Sequence, residues 1–331
     1  MKKSKYTTIS IVEAGLMSII IFLLMMMTSF VPVLGMVGMF LLPLPITLLY
    51  LRYNKAVAFL AIMVSAILIA IFNNPITAIG LAALYGFSGI AMGYSISRKM
   101  KALKIIGIVF MSNLIGILID YGLYVYVTLG ISLTSLIQQI VDSIKQSINI
   151  YKSMGLDTSN NPAYQALEQL DVHTILTILP SAIIVSVFML SLINYVITKS
   201  ILSRFKYEID SIPHFTKWYL DNRVGAVLII LVCIGIILNS KHILIGEYIF
   251  YSSLSLFQFV IMFIGLSISA YFLKYRFNIS NKIIIVICIF LFFSQLSMIL
   301  FYLGLLDMLF DIRAIDPNSL GNALRNKFKK K

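Results

Sequence analysis

Stretches of about twenty apolar residues recur along this chain with only short polar connections between them, and this constrains the fold more than any other feature. A helix crossing a bilayer needs about 20 mostly apolar residues. Lipid offers a peptide group no hydrogen-bond partner, so such runs must satisfy their own backbones as helices. Strands of a membrane barrel would alternate apolar and polar residues, and these runs do not. Hydrophobic residues make up 60% of the sequence, only 12% are charged, and the mean hydropathy is +0.97. A soluble domain carries roughly twice that charged fraction. The expected fold class is all-α, a polytopic transmembrane helical bundle in a bacterial plasma membrane.

The pattern gives about nine spans, near 9–30, 37–51, 56–72, 76–96, 105–129, 173–198, 224–240, 246–273 and 283–305. Their connections alternate in charge. Those on one side carry 17 lysines and arginines, and those on the other carry only Lys145, Lys152 and Lys241. The positive-inside rule then puts the N-terminus in the cytoplasm. The tail does not fit, because nine straight crossings would place Arg313, Arg325, Lys327 and Lys329 to Lys331 on the basic-poor side. The reading by domains is a six-span core at 1–200 with an external helical hairpin at 131–172. A cytoplasmic interfacial linker helix at 201–223, membrane spans at 224–310 and a basic tail at 311–331 follow.

Several residues depart from plain apolar filler. Ser10, Ala14 and Ser18 stripe the first span with small side chains, the pattern that lets helices approach closely. Gly89 and Gly93 form a GxxxG on the fourth span, which points to the same close packing. The second span holds Pro43 and Pro45, which release backbone carbonyls and need a protein neighbour or a cavity rather than open lipid. Asn113 and Asp120 sit in the fifth span, and an ionisable residue at membrane depth is by default a functional candidate. Asp120 lies toward the outer end beside Tyr121 and Tyr124, so a place in interfacial water stays open for it, and Glu13 has the same two readings at the inner end. Ser10, Ala14, Ser18, Gly89 and Gly93 are thus candidates for packing against a partner helix. Asp120, Asn113, Pro43 and Pro45 are candidates for a ligand or ion.

Between the fifth and sixth spans, Leu133, Leu136, Ile137, Ile140, Val141, Ile144 and Ile148 recur at helical spacing among polar residues. This is an amphipathic helix. A turn from Gly155 to Pro162 ends it, and a second helical stretch carries Tyr164, Leu167 and Leu170. Near the end of the chain, Asp311 and Arg313 are placed to pair with each other or with the inner connections.

Much chemistry is missing. Cys233 and Cys288 lie in apolar runs without a CxxC partner, and His173, His214 and His242 fall on separate connections, so no metal centre or cofactor is expected. No GxSxG, HExxH or GxxxxGK[ST] motif occurs, and no enzyme is expected. The net charge of +13 sits at span ends, where it reads as membrane topology and not as a nucleic-acid surface.

Four stretches carry a resemblance. They are the Ile11-Val12-Glu13-Ala14-Gly15-Leu16 opening, Leu42-Pro43-Leu44-Pro45 with Arg52, Phe215 to Trp218, and Gly304-Leu305-Leu306-Asp307 with Asp311-Ile312-Arg313. Their order is similar to that in the YybS-like family of bacterial membrane proteins. The front half also resembles the substrate-binding S components of energy-coupling-factor transporters, which have six spans and both ends in the cytoplasm. That resemblance implies small-molecule binding, a coupling subunit and a separate ATPase as partners. It also implies that Ala14 and Ser18 stand where S components carry the small residues that pack on the coupling subunit, with serine here in the second place. The competing expectation is a membrane scaffold or regulator that transports nothing and holds a cytoplasmic protein.

Overall fold

Several helix starts in this chain are set by capping side chains. The computed structural model describes residues 8–154, 162–294 and 296–315, and side chains are described for all of these except 32–34, 36, 162 and 163. The described residues are almost all helical. The first six helices are α1 (Thr8–Phe30), α2 (Pro32–Leu41), α3 (Pro43–Arg52), α4 (Lys55–Phe72), α5 (Pro75–Ser97) and α6 (Ala102–Gly122). Asn54 accepts the Ala56 and Val57 amides at 2.9 and 3.1 Å to open α4, and Asn74 accepts the Ile76 amide at 2.9 Å to open α5. Each fills an amide that a helix start leaves orphaned. Pro75 sits in the first turn of α5, where its missing N–H costs nothing.

After α6 the helix widens into a π-turn at Leu123–Thr128. The amphipathic helix α7 (Leu133–Ser153) follows, with Ser132 as its cap and Ile137, Val141 and Ile148 on its buried stripe. The short α8 (Pro162–Glu168) returns against it, with Lys152 paired to Glu168 and the Tyr151 and Tyr164 rings 6.2 Å apart. Those contacts bring α7 and α8 together, and the turn expected from Gly155 to Pro162 lies, before Pro162, outside the described residues. The remaining helices are α9 (Val172–Arg204), α10 (Asn222–Ser240), α11 (Leu244–Tyr275), α12 (Asn281–Phe293) and α13 (Ser297–Phe310).

Among the described residues, seven helices are long and apolar enough to cross a membrane: α1, α4, α5, α6 with its π-turn, α9, α10 and α11. The second expected span is the short apolar stretch Val37–Arg52, and the last is the pair α12 and α13, bent by 105°. Ser294 relieves the break, because its hydroxyl donates to the Leu291 carbonyl and accepts the Leu296 amide.

The linker helix expected at 201–223 is corrected. Residues 201–204 are helical as the end of α9 and 222–223 as the start of α10, and between them there is only a single 3-10 turn at Phe215–Lys217. The reason is packing. Tyr207, Ile209 and Ile212 press onto a cluster that includes Leu48, Met92, Ile105 and Tyr195, while Pro213 has no amide to continue a helix.

The chain forms two compact units, Met1–Val172 with Ser186–Ile212, and His173–Val185 with Pro213–Lys331. The start of α9 belongs to the second unit because it is tied to α11: Ser252 donates to the Thr177 carbonyl at 2.6 Å, and His173 Nε2 lies 3.4 Å from Glu247. In the first unit, the buried side of α1 presents Ser10, Ser18, Ile21 and Met25. The Ser65 hydroxyl of α4 lies 2.9 Å from the Ser18 carbonyl. In the second unit, α11 and α13 meet backbone to backbone. An added Cβ at Gly265 would strike the Leu300 carbonyl, and one at Gly304 would strike the Ile261 carbonyl.

Candidate functional site

The first-unit site is assembled along one side of α6. Lys101 provides no side-chain cap for this helix, and the cap comes from a distant residue, with Asp210 Oδ2 accepting the Ala102 amide at 2.9 Å. That bond, with a second from the Ser211 amide, holds the Asp210 carboxyl below the usual carboxylate range, and Lys199 and Lys101 add to the effect. The Tyr195 hydroxyl donates to the Asp210 carbonyl at 2.5 Å, so α6, α9 and the segment after α9 are joined at one end.

Asn113, Gly116 and Asp120 follow at helical spacing. Asn113 is buried and donates to the Ser191 hydroxyl of α9 at 2.8 Å. Gly116 lets α5 approach closely, since an added Cβ would lie 2.7 Å from Leu84 Cα. One more turn along, the Asp120 carboxylate rests against Gly80 of α5, filling the space a Cβ there would need. It is half-buried, lies within electrostatic reach of Tyr85, and stands three residues before the π-turn. Among the described residues it has no hydrogen-bond donor and no cation. A carboxylate so placed calls for a cation, a proton or a donor group from outside the chain's own side chains.

The other candidates sit elsewhere. Pro43 and Pro45 are buried at the start of α3, where the Thr47 hydroxyl lies 2.8 Å from the Pro43 carbonyl and 3.0 Å from that of Gly89. Gly89 packs over Ile46 and the Pro43 carbonyl, and Gly93 over Tyr50. Gly80 and Gly89 are nine residues apart on α5, about 14 Å at 1.5 Å per residue, so the prolines do not share a site with Asp120. Ser10 and Ser18 are buried against α4 with Ala14 half-buried between them, whereas Gly15 and Leu16 on the other side of α1 are exposed. Glu13 is engaged: it accepts from the Arg52 guanidinium and the Tyr53 hydroxyl, and this hydrogen bond pushes the Tyr53 pKa up.

Two features escape the sequence patterns. Asn194 of α9 is 1% exposed, and among the described residues neither of its amide atoms has a partner. Its only sequence signal is a polar residue within an apolar run. In the second unit, the Arg313 side chain is fully buried. Its guanidinium donates to Asp307 Oδ2 (2.8 Å), the Thr216 carbonyl (2.8 Å), the Ser267 hydroxyl (2.7 Å) and the Trp218 carbonyl (2.6 Å). The sequence offered Asp311 or an inner connection as its partner. The acidic partner is Asp307, two turns of chain away, while the connection containing Phe215 to Trp218 supplies the carbonyls. Asp311 instead takes a left-handed φ of 47°, ends α13 and accepts the Ile315 amide at 2.8 Å.

A family model described as predicted membrane protein (DUF2232) matches residues 19–308. The chain is similar to the uncharacterized protein YybS of Bacillus subtilis (strain 168), with 24% identity over 316 residues that cover 92% of this chain and 98% of that protein. No solved structure matches it.

Proposed function

The chain belongs to the DUF2232 family of predicted membrane proteins, and from that premise we propose that its first unit binds a small molecule and serves transport across the membrane. The observation that carries this reading is the Asp120 carboxylate, half-buried against Gly80 with no counter-charge among the described residues. Desolvating a carboxylate at that depth is costly, and such residues in membrane helices mark substrate or ion pathways. Glu13 does not compete for this role, because Arg52 and Tyr53 occupy it. The ligand is accordingly one that brings a positive charge or hydrogen-bond donors to a site between α5 and α6. The six-span resemblance to S components supports the same reading, but the docking of Ala14 and Ser18 on a coupling subunit is left out of it, since α4 covers Ser18.

Thermal unfolding of the purified protein with a panel of vitamins, nucleobases and metal cations tests the proposal. A true ligand at a hundred times its Kd stabilises by about 2.7 kcal/mol. Asp120→Asn should abolish that shift while leaving the ligand-free midpoint unchanged or higher. If no compound shifts the midpoint and neither a coupling subunit nor an ATPase copurifies, the proposal fails.

A further inference from the structure

The surroundings of Asp120 restrict the kind of cation that can reach it. Its Oδ1 rests on Gly80 of α5, in the space a side chain there would need. On the same helix, Tyr85 is buried and lies within electrostatic reach of both Asp120 and Tyr121. Helical side chains lean toward the N-terminal end of their helix, so the Tyr85 phenol is carried back toward the level of Gly80. One turn deeper the polarity ends. Leu84 of α5 belongs to a buried apolar cluster, and Ile117 of α6 packs against that cluster. One carboxylate and one phenol thus stand beside apolar side chains.

Charge balance and ligand number discriminate among cations. Among the described residues, Asp120 joins no group of three or more His, Cys, Asp or Glu side chains that could hold a metal ion. Calcium and magnesium take about six or more oxygens each. A divalent ion on a single carboxylate would also leave a net charge in apolar surroundings, which is costly. A small monovalent metal ion balances the charge but gives up its hydration shell for too few oxygens. An ammonium group balances the charge and asks only for acceptors. Taking Asp120 as the ligand site, as proposed above, we infer that the ligand is a primary organic ammonium ion. Its three N–H donors match the two Asp120 carboxylate oxygens and the Tyr85 hydroxyl, and its carbon body lies toward Leu84 and Ile117.

The test titrates the purified full chain, at constant ionic strength, with butylammonium, its neutral isostere butanol, tetramethylammonium, potassium and magnesium. Binding is read from the shift in the unfolding midpoint. Butylammonium should shift it most. Tetramethylammonium, equal in charge but without an N–H, should bind about tenfold more weakly, the loss expected of a hydrogen bond to a charged group. Asp120→Asn should remove the butylammonium shift. Gly80→Ala, whose methyl takes the space of Asp120 Oδ1, should weaken it while leaving the negative charge in place, and decides alone if Asp120→Asn does not fold. A response to butanol, tetramethylammonium, potassium or magnesium as large as that to butylammonium overturns the ammonium ligand but leaves a ligand site at Asp120. A butylammonium shift that survives both variants places its binding elsewhere and overturns the inference. Silence from all five probes overturns it too, whereas the site itself falls only if the vitamin, nucleobase and metal panel is also silent.

Discussion

Arg313 shows how much a single buried side chain governs here. Its guanidinium has left water entirely, and Asp307 with two backbone carbonyls and a hydroxyl replaces the lost hydration. Arg313→Ala removes the cation and leaves the Asp307 carboxylate buried and uncompensated, a change that costs about 3–5 kcal/mol. The measure is the unfolding midpoint of the purified protein, and a variant as stable as the wild type would contradict the network. Thr216 makes the opposite case. Its backbone carbonyl serves Arg313, but its buried side-chain oxygen has no partner among the described residues, so Thr216→Val should change stability by less than about 1 kcal/mol.

At the scale of elements, two helices meet through Gly265 and Gly304, which lie over each other's backbones. Gly304→Ala must push α13 away from α11 and should cost about 1–3 kcal/mol. Gly15→Ala on α1 meets nothing within 4 Å and should be tolerated or slightly favourable, which makes it the matched control in the same unfolding measurement. The start of α6 yields a pH dependence. Asp210 caps it with its pKa lowered, so the cap contributes fully above the unfolded carboxylate pKa, about 3.9. That contribution is lost as the pH falls from about 3.9 through the lower folded value. Asp210→Asn should flatten the acid limb of a midpoint-against-pH curve, and an unaltered limb would remove Asp210 from that role.

For the whole molecule, the bent pair sets where Arg313 lies. The α12 helix starts six residues after α11 stops, and α13 ends where Arg313 meets Ser267, two turns from that same end of α11. Each half is too short to cross the roughly 30 Å apolar core alone. Arg313 lies beside the Phe215 to Trp218 segment, and we predict that the pair, bent by 105°, enters and returns on one side, which would remove the charge conflict that nine straight crossings create. Single cysteines at Lys282 and Ile312, in a chain lacking Cys233 and Cys288, should therefore be labelled from the same side of the membrane. Labelling from opposite sides would make the pair a true crossing.

The sequence by itself determined that this is a multi-pass helical membrane protein, because apolar run length and the absence of water in lipid leave the backbone no other choice. It also marked the small-residue and proline positions, whose steric effects are local. Which carboxylate finds a partner was decided only in three dimensions. Glu13 and Asp120 look alike as lone acids near span ends, yet Arg52 and Tyr53, about forty residues from Glu13, neutralise one while the other faces Gly80 alone. The segment after Arg204 followed the same logic. Its composition suited an interfacial helix, but Asp210 was drawn to an uncapped amide 108 residues earlier in the chain and Ile209 to an apolar cluster. Ion pairing and burial act across any sequence separation, so a local pattern carries no record of them.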